Sequence, residues 1–275
     1  MTDSTLKNNH LSNPGENFLN NILLNKIKEV SKRKLNVSIN ELENSNFFDR
    51  STISLKQKLQ NSSLGIIAEF KRKSPSKGWI HADANVQEVT IGYNVEGASG
   101  ISILTDTEFF GGNIEDVTTV RNKISCPILR KDFVVDEFQI YEAKAIGADV
   151  ILLIASALTV FEVKNFSRLA HQLGLEVLLE VHNKEELSYL NENVDMVGVN
   201  NRNLKTFQVD TGISANLAAF IPPEFVKISE SGISNVETVK ELNRLGYRGF
   251  LMGENFMKEV QPALALKEFL RQLNE

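Results

Sequence analysis

The fold is decided by a unit that reads Val150-Ile-Leu-Leu-Ile154, then Val160–Leu173, then Glu176-Val-Leu-Leu-Glu180. The two short apolar runs are typical of buried β-strands, and the segment between them has apolar residues at helical spacing. Gly147-Ala-Asp149, just before the first run, indicates a turn from an earlier helix into that strand. A strand, a helix and a second strand in this order predict two parallel strands joined by a right-handed crossover.

The same alternation extends through most of the chain. Further helices are predicted at Glu137–Ile146 and Asn235–Leu245. The apolar runs, whose starts lie 20 to 35 residues apart, are Gly65–Phe70, Gly100–Leu104, Pro127–Lys131, Val150–Ile154, Glu176–Glu180, Met196–Asn200, Phe225–Ser229 and Gly249–Met252. Eight strand–helix units favour an α/β fold that closes into a single (β/α)8 TIM barrel. An open, doubly wound sheet is the weaker alternative, because the first strand–helix turn has no Gly-x-Gly-x-x-Gly phosphate loop.

The chain begins with a polar segment and then becomes amphipathic. Residues 1–15 are polar and contain Pro14-Gly15, so a flexible tail is predicted there. Apolar residues recur at helical spacing from Glu16 to about Leu35, and a shorter helix is expected near Ile39–Asn44. We therefore predict one domain over residues 16–275, with a helical extension over 16–45 that covers one end of the barrel.

Composition excludes several classes of protein. The formal net charge of −5 and the pI near 5.6 argue against binding nucleic acid or an anionic membrane, although a local phosphate site remains compatible with them. No signal sequence and no apolar stretch of about 18 residues is found. Cys126 is the single cysteine, so a reducing compartment is expected. We expect a cytoplasmic protein that acts as a monomer.

Charged and polar side chains lie where apolar runs end. Glu69 lies near the end of the first run and Lys71 follows it, whereas Lys131, Glu180 and Asn200 end later ones. In each run the residue two places earlier is apolar or small, so the polar residue shares its face. Active sites of barrels lie at the carboxyl ends of the strands, so these groups are expected to converge there for acid–base chemistry on a small molecule.

Each of these residues also has a simpler interpretation. Glu69 and Lys71 could form a structural ion pair, and Lys131 beside Asp132 could be a solvated surface pair. Similarly, Glu180 and His182 could merely share a hydrogen bond. The segment Asn200-Asn-Arg-Asn203 could be only a polar loop. Their joint placement at the ends of four strands nevertheless favours a site.

A phosphate site is predicted after the last two strands. Ser231 and Gly232 follow the seventh run, and Gly253 and Glu254 follow the eighth. Barrels often bind phosphate between these two loops, at the N-terminus of a short extra helix. Phe256-Met257 could begin that helix, and only the backbone amide of Glu254 is expected to contribute, since its carboxylate would repel phosphate.

Several motifs occur in an order that resembles one enzyme family, from about Phe18 to the C-terminus. They are Ile67-Ala-Glu-Phe-Lys-Arg-Lys-Ser-Pro-Ser-Lys-Gly78, Ile103-Leu-Thr-Asp-Thr-Glu-Phe-Phe-Gly-Gly112, Leu129-Arg-Lys-Asp-Phe133, Leu179-Glu-Val-His182, Gly198-Val-Asn-Asn-Arg-Asn-Leu204 and Ser229-Glu-Ser-Gly-Ile233. The family that these motifs resemble is indole-3-glycerol phosphate synthase. The resemblance implies a (β/α)8 barrel with an N-terminal helical segment, which agrees with the pattern above.

The resemblance also implies an activity and a set of roles. The reaction converts 1-(2-carboxyphenylamino)-1-deoxyribulose 5-phosphate into indole-3-glycerol phosphate, with loss of carbon dioxide and water and with neither a cofactor nor a metal. Lys131 would be the general acid, Glu180 the general base, and Glu69 and Lys71 would assist later proton transfers. The implied substrate-binding residues are Asn200 and Arg202 for the anthranilate part, Phe110 and Phe133 for its ring, and Ser74, Ser231, Gly232, Gly253 and Glu254 for the phosphate. Glu254 departs from the family, where a small hydroxyl residue is common.

These roles lead to two expectations about acidity. An unperturbed lysine has a pKa of about 10.4, and desolvation near other amines is expected to lower the pKa of Lys131. An apolar wall is expected to raise the pKa of Glu180 from about 4.3.

Two alternatives to this activity remain. One is an isomerase such as phosphoribosylanthranilate isomerase, which is expected to use a cysteine at the end of strand one. The other is a barrel that binds a sugar phosphate without turnover.

Overall fold

The computed structural model describes residues 14–204 and 206–275, and describes side chains from Phe18 onward. The first helix begins at Pro14, two residues before its predicted start, so Pro14 and Gly15 do not belong to a flexible tail. The rest of the predicted tail, residues 1–13, lies outside the described part of the chain.

Helices and strands alternate along the chain. The helices are α1 Pro14–Asn36, α2 Ile39–Glu43, α3 Leu55–Gln60, α4 Val86–Val95, α5 Thr107–Phe110, α6 Ile114–Arg121, α7 Phe138–Ala145, α8 Val160–Gln172, α9 Gly212–Leu217, α10 Val236–Arg244, α11 Glu254–Met257 and α12 Pro262–Leu273. The strands are β1 Gly65–Phe70, β2 Lys73–Ser74, β3 Gly78–Trp79, β4 Gly100–Leu104, β5 Ile128–Lys131, β6 Val150–Ile154, β7 Glu176–Val181, β8 Met196–Asn200, β9 Val226–Glu230 and β10 Tyr247–Met252. Single 3₁₀ turns cover Ala155–Ala157 and Glu185–Tyr189.

Eight of these strands form a closed parallel barrel, in the order β1-β10-β9-β8-β7-β6-β5-β4. Closure is direct, because Ile67 of β1 is paired with Leu251 of β10 on one side and with Gly100 of β4 on the other. The predicted barrel is confirmed and the open sheet is excluded. Each predicted run coincides with a strand to within one or two residues at either end. The added strands β2 and β3 form a small antiparallel hairpin in the loop after β1.

The barrel separates two apolar cores. Inward-facing residues such as Ile67, Leu129 and Leu178 pack inside it, whereas Ile66 and Phe70 pack outward against the helices. The alternation of faces is therefore the one predicted from sequence. Continuing each inward face by two residues leads from Ile67 to Glu69, from Leu129 to Lys131 and from Leu178 to Glu180.

Helix α3 closes the amino-terminal end of the barrel, a feature that the sequence analysis did not predict. Its Leu55 and Leu59 are buried in the inner core. Side chains at Gly65 or Gly100, where two strands begin, would overlap these leucines. Glycine at these positions thus lets the two leucines fill the end of the barrel.

Helix α1 lies at the opposite, carboxyl end of the strands, as predicted for the helical extension. Its Ile22 belongs to the inner core, and Phe18 and Leu19 pack against that core. Among the described helices, none combines the length and the hydropathy that crossing a membrane would require.

Candidate active site

A cavity of about 440 Å³ opens at the carboxyl ends of the barrel strands. It is lined by all thirteen residues that the sequence analysis selected, which are Glu69, Lys71, Ser74, Phe110, Lys131, Phe133, Glu180, Asn200, Arg202, Ser231, Gly232, Gly253 and Glu254. Their positions in the fold follow from the parity of the strands and from the loops that continue them. The residues therefore share one pocket.

The floor of the cavity holds an ammonium between two carboxylates. Lys131 Nζ lies 3.1 Å from Glu180 Oε2 and also donates to Glu230 Oε2. The side chain of Lys131 is 14% exposed, and those of Glu180 and Glu230 are 3% and 1% exposed. The interpretation of Lys131 as a solvated surface pair with Asp132 is therefore wrong.

Glu230 is a site residue that the sequence analysis missed. It ends β9, one residue beyond the predicted end of that strand at Ser229. The signal was present, because Glu230 follows Ile228 by two residues just as Glu180 follows Leu178. Its second oxygen, Oε1, is buried and has no hydrogen-bond partner in the part of the chain that the structure describes.

The environment of Lys131 contradicts the expected direction of its pKa. Burial by itself would lower the pKa, but the carboxylates of Glu230, Glu180 and Glu69 outweigh burial and raise it. The neighbours are acids, whereas the expectation assumed amines. Lys131 consequently stays an ammonium, and it becomes a good proton donor only toward an oxygen that turns strongly basic during the reaction.

The two carboxyl groups beside Lys131 differ in acidity, again against expectation. Burial opposes ionisation of Glu180, but Lys131, His182 and Asn200 together lower its pKa. Burial raises the pKa of Glu230 to about 7, with Glu180 and Glu69 adding to the effect and Lys131 opposing it. The raised pKa that was expected for Glu180 thus belongs to Glu230, a pattern typical of acid–base sites.

His182 and Asn200 hold Glu180 in place. Asn200 Nδ2 donates to Glu180 Oε1 at 3.0 Å, and His182 Nε2 lies 3.3 Å from the same oxygen. His182 Nδ1 lies 3.3 Å from Glu186. Burial alone would lower the pKa of His182, but Glu180 and Glu186 raise it to about 10. His182 and Glu180 therefore form a charge contact, although His182 Nε2 makes no hydrogen bond to a described residue, and this contact helps to keep Glu180 ionised.

A second acid and amine lie at the end of β1 and just after it. Lys71 Nζ lies 2.5 Å from Glu69 Oε1, so the simpler reading of these residues as an ion pair describes a real contact. The pair also borders the cavity. Gly253, at the end of β10, leaves room for Glu69, because a Cβ there would approach Glu69 Oε1 to 2.5 Å. Gly253 therefore accommodates the Glu69 side chain and also lines the pocket.

Aromatic and cationic groups also line the cavity. The rings of Phe110 and Phe133 have centroids 6.1 Å apart at an interplanar angle of 39°. Arg202 lies on the loop after β8, where its backbone N–H donates to Asn200 Oδ1 at 2.9 Å and Nη1 lies 3.4 Å from Ser76 Oγ. The cavity thus offers both apolar ring surface and a guanidinium, the two kinds of group that an aromatic carboxylate needs.

Another part of the cavity wall is made by the loops predicted to bind phosphate. Ser231 and Gly232 have positive φ angles of 66° and 74°, a strained conformation for the serine. Helix α11 begins at Glu254, two residues before the predicted start, and the Glu254 carboxylate points to Lys77 at 3.6 Å. Ser74 Oγ is buried and, among described residues, unpaired. Backbone amides and hydroxyl groups gathered in this way suit an anion.

Gly198 on β8 sets the position of Glu230 and gives a first prediction. A Cβ at this position would overlap Glu230 Oε1 and would lie 3.2 Å from Leu178. Gly198→Ala is expected to push Glu230 away from Lys131 and to lower kcat by about tenfold or more, as displaced catalytic groups do. The measurement is steady-state turnover of the substrate that the resemblance implies.

The matched control for this variant is Gly212→Ala in α9. Its added Cβ would meet only the flexible side chain of Asp210, at 2.9 Å, so turnover should stay at the wild-type value. Equal turnover of Gly198→Ala and wild type would mean that the position of Glu230 does not matter.

A family model described as indole-3-glycerol phosphate synthase matches residues 19–269. The chain belongs to the indole-3-glycerol phosphate synthase family. An indole-3-glycerol phosphate synthase from Bacteroides thetaiotaomicron is 49% identical over 256 residues, which cover 93% of this chain and 98% of the relative. One from Thermoanaerobacter pseudethanolicus is 39% identical over 255 residues, covering 92% and 97%.

Solved structures with low sequence identity to this chain share its fold. A chain from the tryptophan synthase complex of Pyrococcus furiosus superposes with a TM-score of 0.58 at 17% identity and covers 77% of this chain and 98% of that one. KGPDC from Streptococcus mutans gives a TM-score of 0.59 at 15% identity, covering 77% and 97%. Likeness at this level of identity supports the barrel architecture alone.

Proposed function

We propose that this protein converts 1-(2-carboxyphenylamino)-1-deoxyribulose 5-phosphate into indole-3-glycerol phosphate, with release of carbon dioxide and water. The observation that carries the proposal is the Lys131 ammonium, held by Glu180 and Glu230 on the floor of a cavity that has an aromatic side and an anion-binding side. Family membership supports the same activity.

The shape of the cavity supports one orientation of the substrate. The anthranilate ring would pack on Phe110 and Phe133, with its carboxylate toward Arg202, because a guanidinium can bind both oxygens. The phosphate would lie at the other side, against the amides after Ser231 and at the start of α11. The ribulose carbonyl then lies between the two ends, above Lys131.

Ring closure is the first step. The ring carbon that bears the carboxylate forms a bond to the carbonyl carbon, and the carbonyl oxygen gains negative charge. Lys131 stabilises that charge and passes a proton to the oxygen as it becomes a basic alkoxide. The nitrogen lone pair supplies the electrons for the new bond, so the nitrogen becomes a cationic iminium. The ionised Glu180 stabilises this iminium by its charge.

Decarboxylation and dehydration follow from the iminium. Carbon dioxide leaves, and the electrons of the broken carbon–carbon bond neutralise the iminium, so no separate electron sink is needed. Lys71, paired with Glu69, then protonates the departing hydroxyl group, and Glu230 removes the carbon-bound proton that completes the indole. Glu230 suits this step because a base is most effective when its pKa lies near the working pH, and the pKa of Glu230 is about 7.

The test mixes purified protein with the carboxyphenylamino-deoxyribulose phosphate and follows the fluorescence of the indole product. Turnover is expected without added metal and in the presence of a chelator. Binding of the substrate with no product would favour a binding barrel instead. The isomerase alternative is disfavoured because the only cysteine, Cys126, is buried just before β5, so no cysteine ends strand one.

The phosphate side gives a second prediction. Ser231→Glu is expected to raise KM at least tenfold, because it would place a carboxylate beside the substrate phosphate, and two like charges about 4 Å apart repel by ~1 kcal/mol even in water. Ser231→Gln is the matched control, since it has the same size without the charge and the same backbone constraint. The comparison of their KM values isolates the charge, and equal KM values would move the phosphate elsewhere.

We also propose that the enzyme works in the cytoplasm as a monomer. A monomer suffices because every group in the proposed mechanism comes from one chain. Light scattering coupled to size-exclusion chromatography tests this at the concentrations used for turnover, and a dimer as the active species would contradict it.

A further inference from the structure

Lys26 in helix α1 is fully buried and contacts three carboxylates. Its Nζ lies 2.9 Å from each of Glu29 Oε2, Asp106 Oδ2 and Asp132 Oδ1. The side chains of Lys26, Asp106 and Asp132 are all 0% exposed. Burial of a lysine would by itself lower its pKa, but Asp132, Asp106 and Glu29 raise it, so Lys26 stays charged.

The two aspartates connect Lys26 to the loops that follow β4 and β5. Asp106 caps α5 by accepting the N–H of Phe109 at 2.8 Å, and α5 carries Phe110 at its end. Asp132 follows Lys131 directly and accepts the N–H of Phe133 at 2.8 Å. A single ammonium therefore fixes the loop that bears Phe110 and the strand end that bears Lys131 and Phe133.

A ring of ion pairs with alternating charges connects Lys26 and Asp132 to the body of the barrel. Asp132 Oδ2 accepts from Arg130 at 3.1 Å, and Arg130 donates to Glu142 Oε2 at 2.7 Å. Glu142 Oε1 lies 3.0 Å from Arg33 Nε, and Arg33 pairs with Glu29, which returns to Lys26. The ring joins α1 and α7 to the end of β5, so the position of α1 is coupled to that of Lys131.

We propose that Lys26 is a positioning residue for ring closure, which holds the Phe110–Phe133 wall and the Lys131 strand end in register beneath helix α1. Among the described residues that border the cavity, Lys26 is absent, so it acts through Asp106 and Asp132. The proposal rests on the proposed function for its effect on turnover. Its structural half, the ordering of α5, can be measured without substrate.

Trp79 supplies that measurement, because it is the only tryptophan of the chain. Its ring lies against Gly111, directly after α5, where an added Cβ would come within 2.9 Å of the indole. A displaced α5 changes the contacts of this ring. Intrinsic fluorescence and its quenching by acrylamide therefore report on α5 in the substrate-free protein.

The experiment compares Lys26→Met with two controls. Lys34→Met removes an exposed ion pair from α1 to Asp136, 2.8 Å long, and Arg121→Met removes a buried ion pair to Asp149 at the other end of the barrel. Lys26→Met is expected to lower kcat by about 10- to 100-fold and to increase quenching of Trp79. Both controls should keep kcat and Trp79 quenching at wild-type values at a temperature where they are folded.

Other outcomes separate the proposals. Wild-type kcat, KM and Trp79 quenching in a folded Lys26→Met protein would overturn the proposal. If that variant does not fold, Asp106→Asn decides, because its amide oxygen can still cap α5 while the charge contact with Lys26 is lost. Unchanged kcat and quenching in Asp106→Asn would likewise overturn it. Should wild type itself lack turnover, the proposed function fails, and Trp79 quenching alone then tests the ordering of α5.

Discussion

Lys131→Met is expected to lower kcat by about 10³-fold while the substrate still binds. General acid catalysis contributes about 10²- to 10⁴-fold, and this ammonium is also the cation that Glu180 and Glu230 share on the cavity floor. Methionine keeps most of the volume of the side chain but removes the proton and the charge. The measurement is single-turnover formation of indole product, together with a titration of substrate binding.

The control for Lys131→Met is Lys267→Met, which removes an ammonium from α12 that is 62% exposed and pairs with Glu96 at 3.1 Å. That variant should be indistinguishable from wild type. Thermal unfolding of Lys131→Met must be recorded beside its kinetics, because loss of a buried cation leaves two carboxylates without compensation. Wild-type kcat in a folded Lys131→Met protein would refute Lys131 as the acid.

Glu230→Gln is expected to lower kcat by about 10²-fold and to remove the rise of kcat/KM that accompanies ionisation of Glu230. Because the pKa of Glu230 is about 7 and the proposed base is the ionised form, kcat/KM of wild type should rise as the pH increases through that value. The glutamine variant cannot ionise, so its profile should lack this rise. Titration of the substrate phosphate affects both proteins equally and cancels in their ratio.

The free energy of unfolding should fall as Glu230 ionises, whereas kcat/KM should rise. The folded-state pKa of Glu230 is raised from 4.5 to about 7, so the folded protein binds this proton more tightly than the unfolded chain does. That contribution to the free energy of unfolding is complete below pH 4.5 and is lost as the pH rises through about 7. Glu230→Gln should lack this loss in unfolding measurements across that range.

The control for both measurements on Glu230 is Glu237→Gln, which changes an exposed carboxylate in α10. Its kinetics and its pH dependence of stability should match those of wild type. An unchanged rise of kcat/KM near pH 7 in Glu230→Gln would show that another group titrates, and would return the role of base to Glu180 or Glu69.

The sequence by itself determined the barrel and many of the residues that line its cavity, but not Glu230. Eight apolar runs separated by helical segments leave few topologies open, and alternation along a strand decides which residues face inward. Glu69, Lys131, Glu180 and Asn200 could therefore be placed together at the strand ends before their contacts were known. Local periodicity suffices for this, because each placement depends only on a few neighbours in the chain.

Only the tertiary structure decided which charged groups contact one another and which helices and strands hold them in place. Lys131 and Glu230 are 99 residues apart, and the directions of both pKa shifts depend on distances that no local pattern contains. The ion ring through Lys26 and the leucines of α3 at the barrel end have the same origin. Electrostatic energy varies with separation and burial, so it is defined only once distant segments have packed against one another.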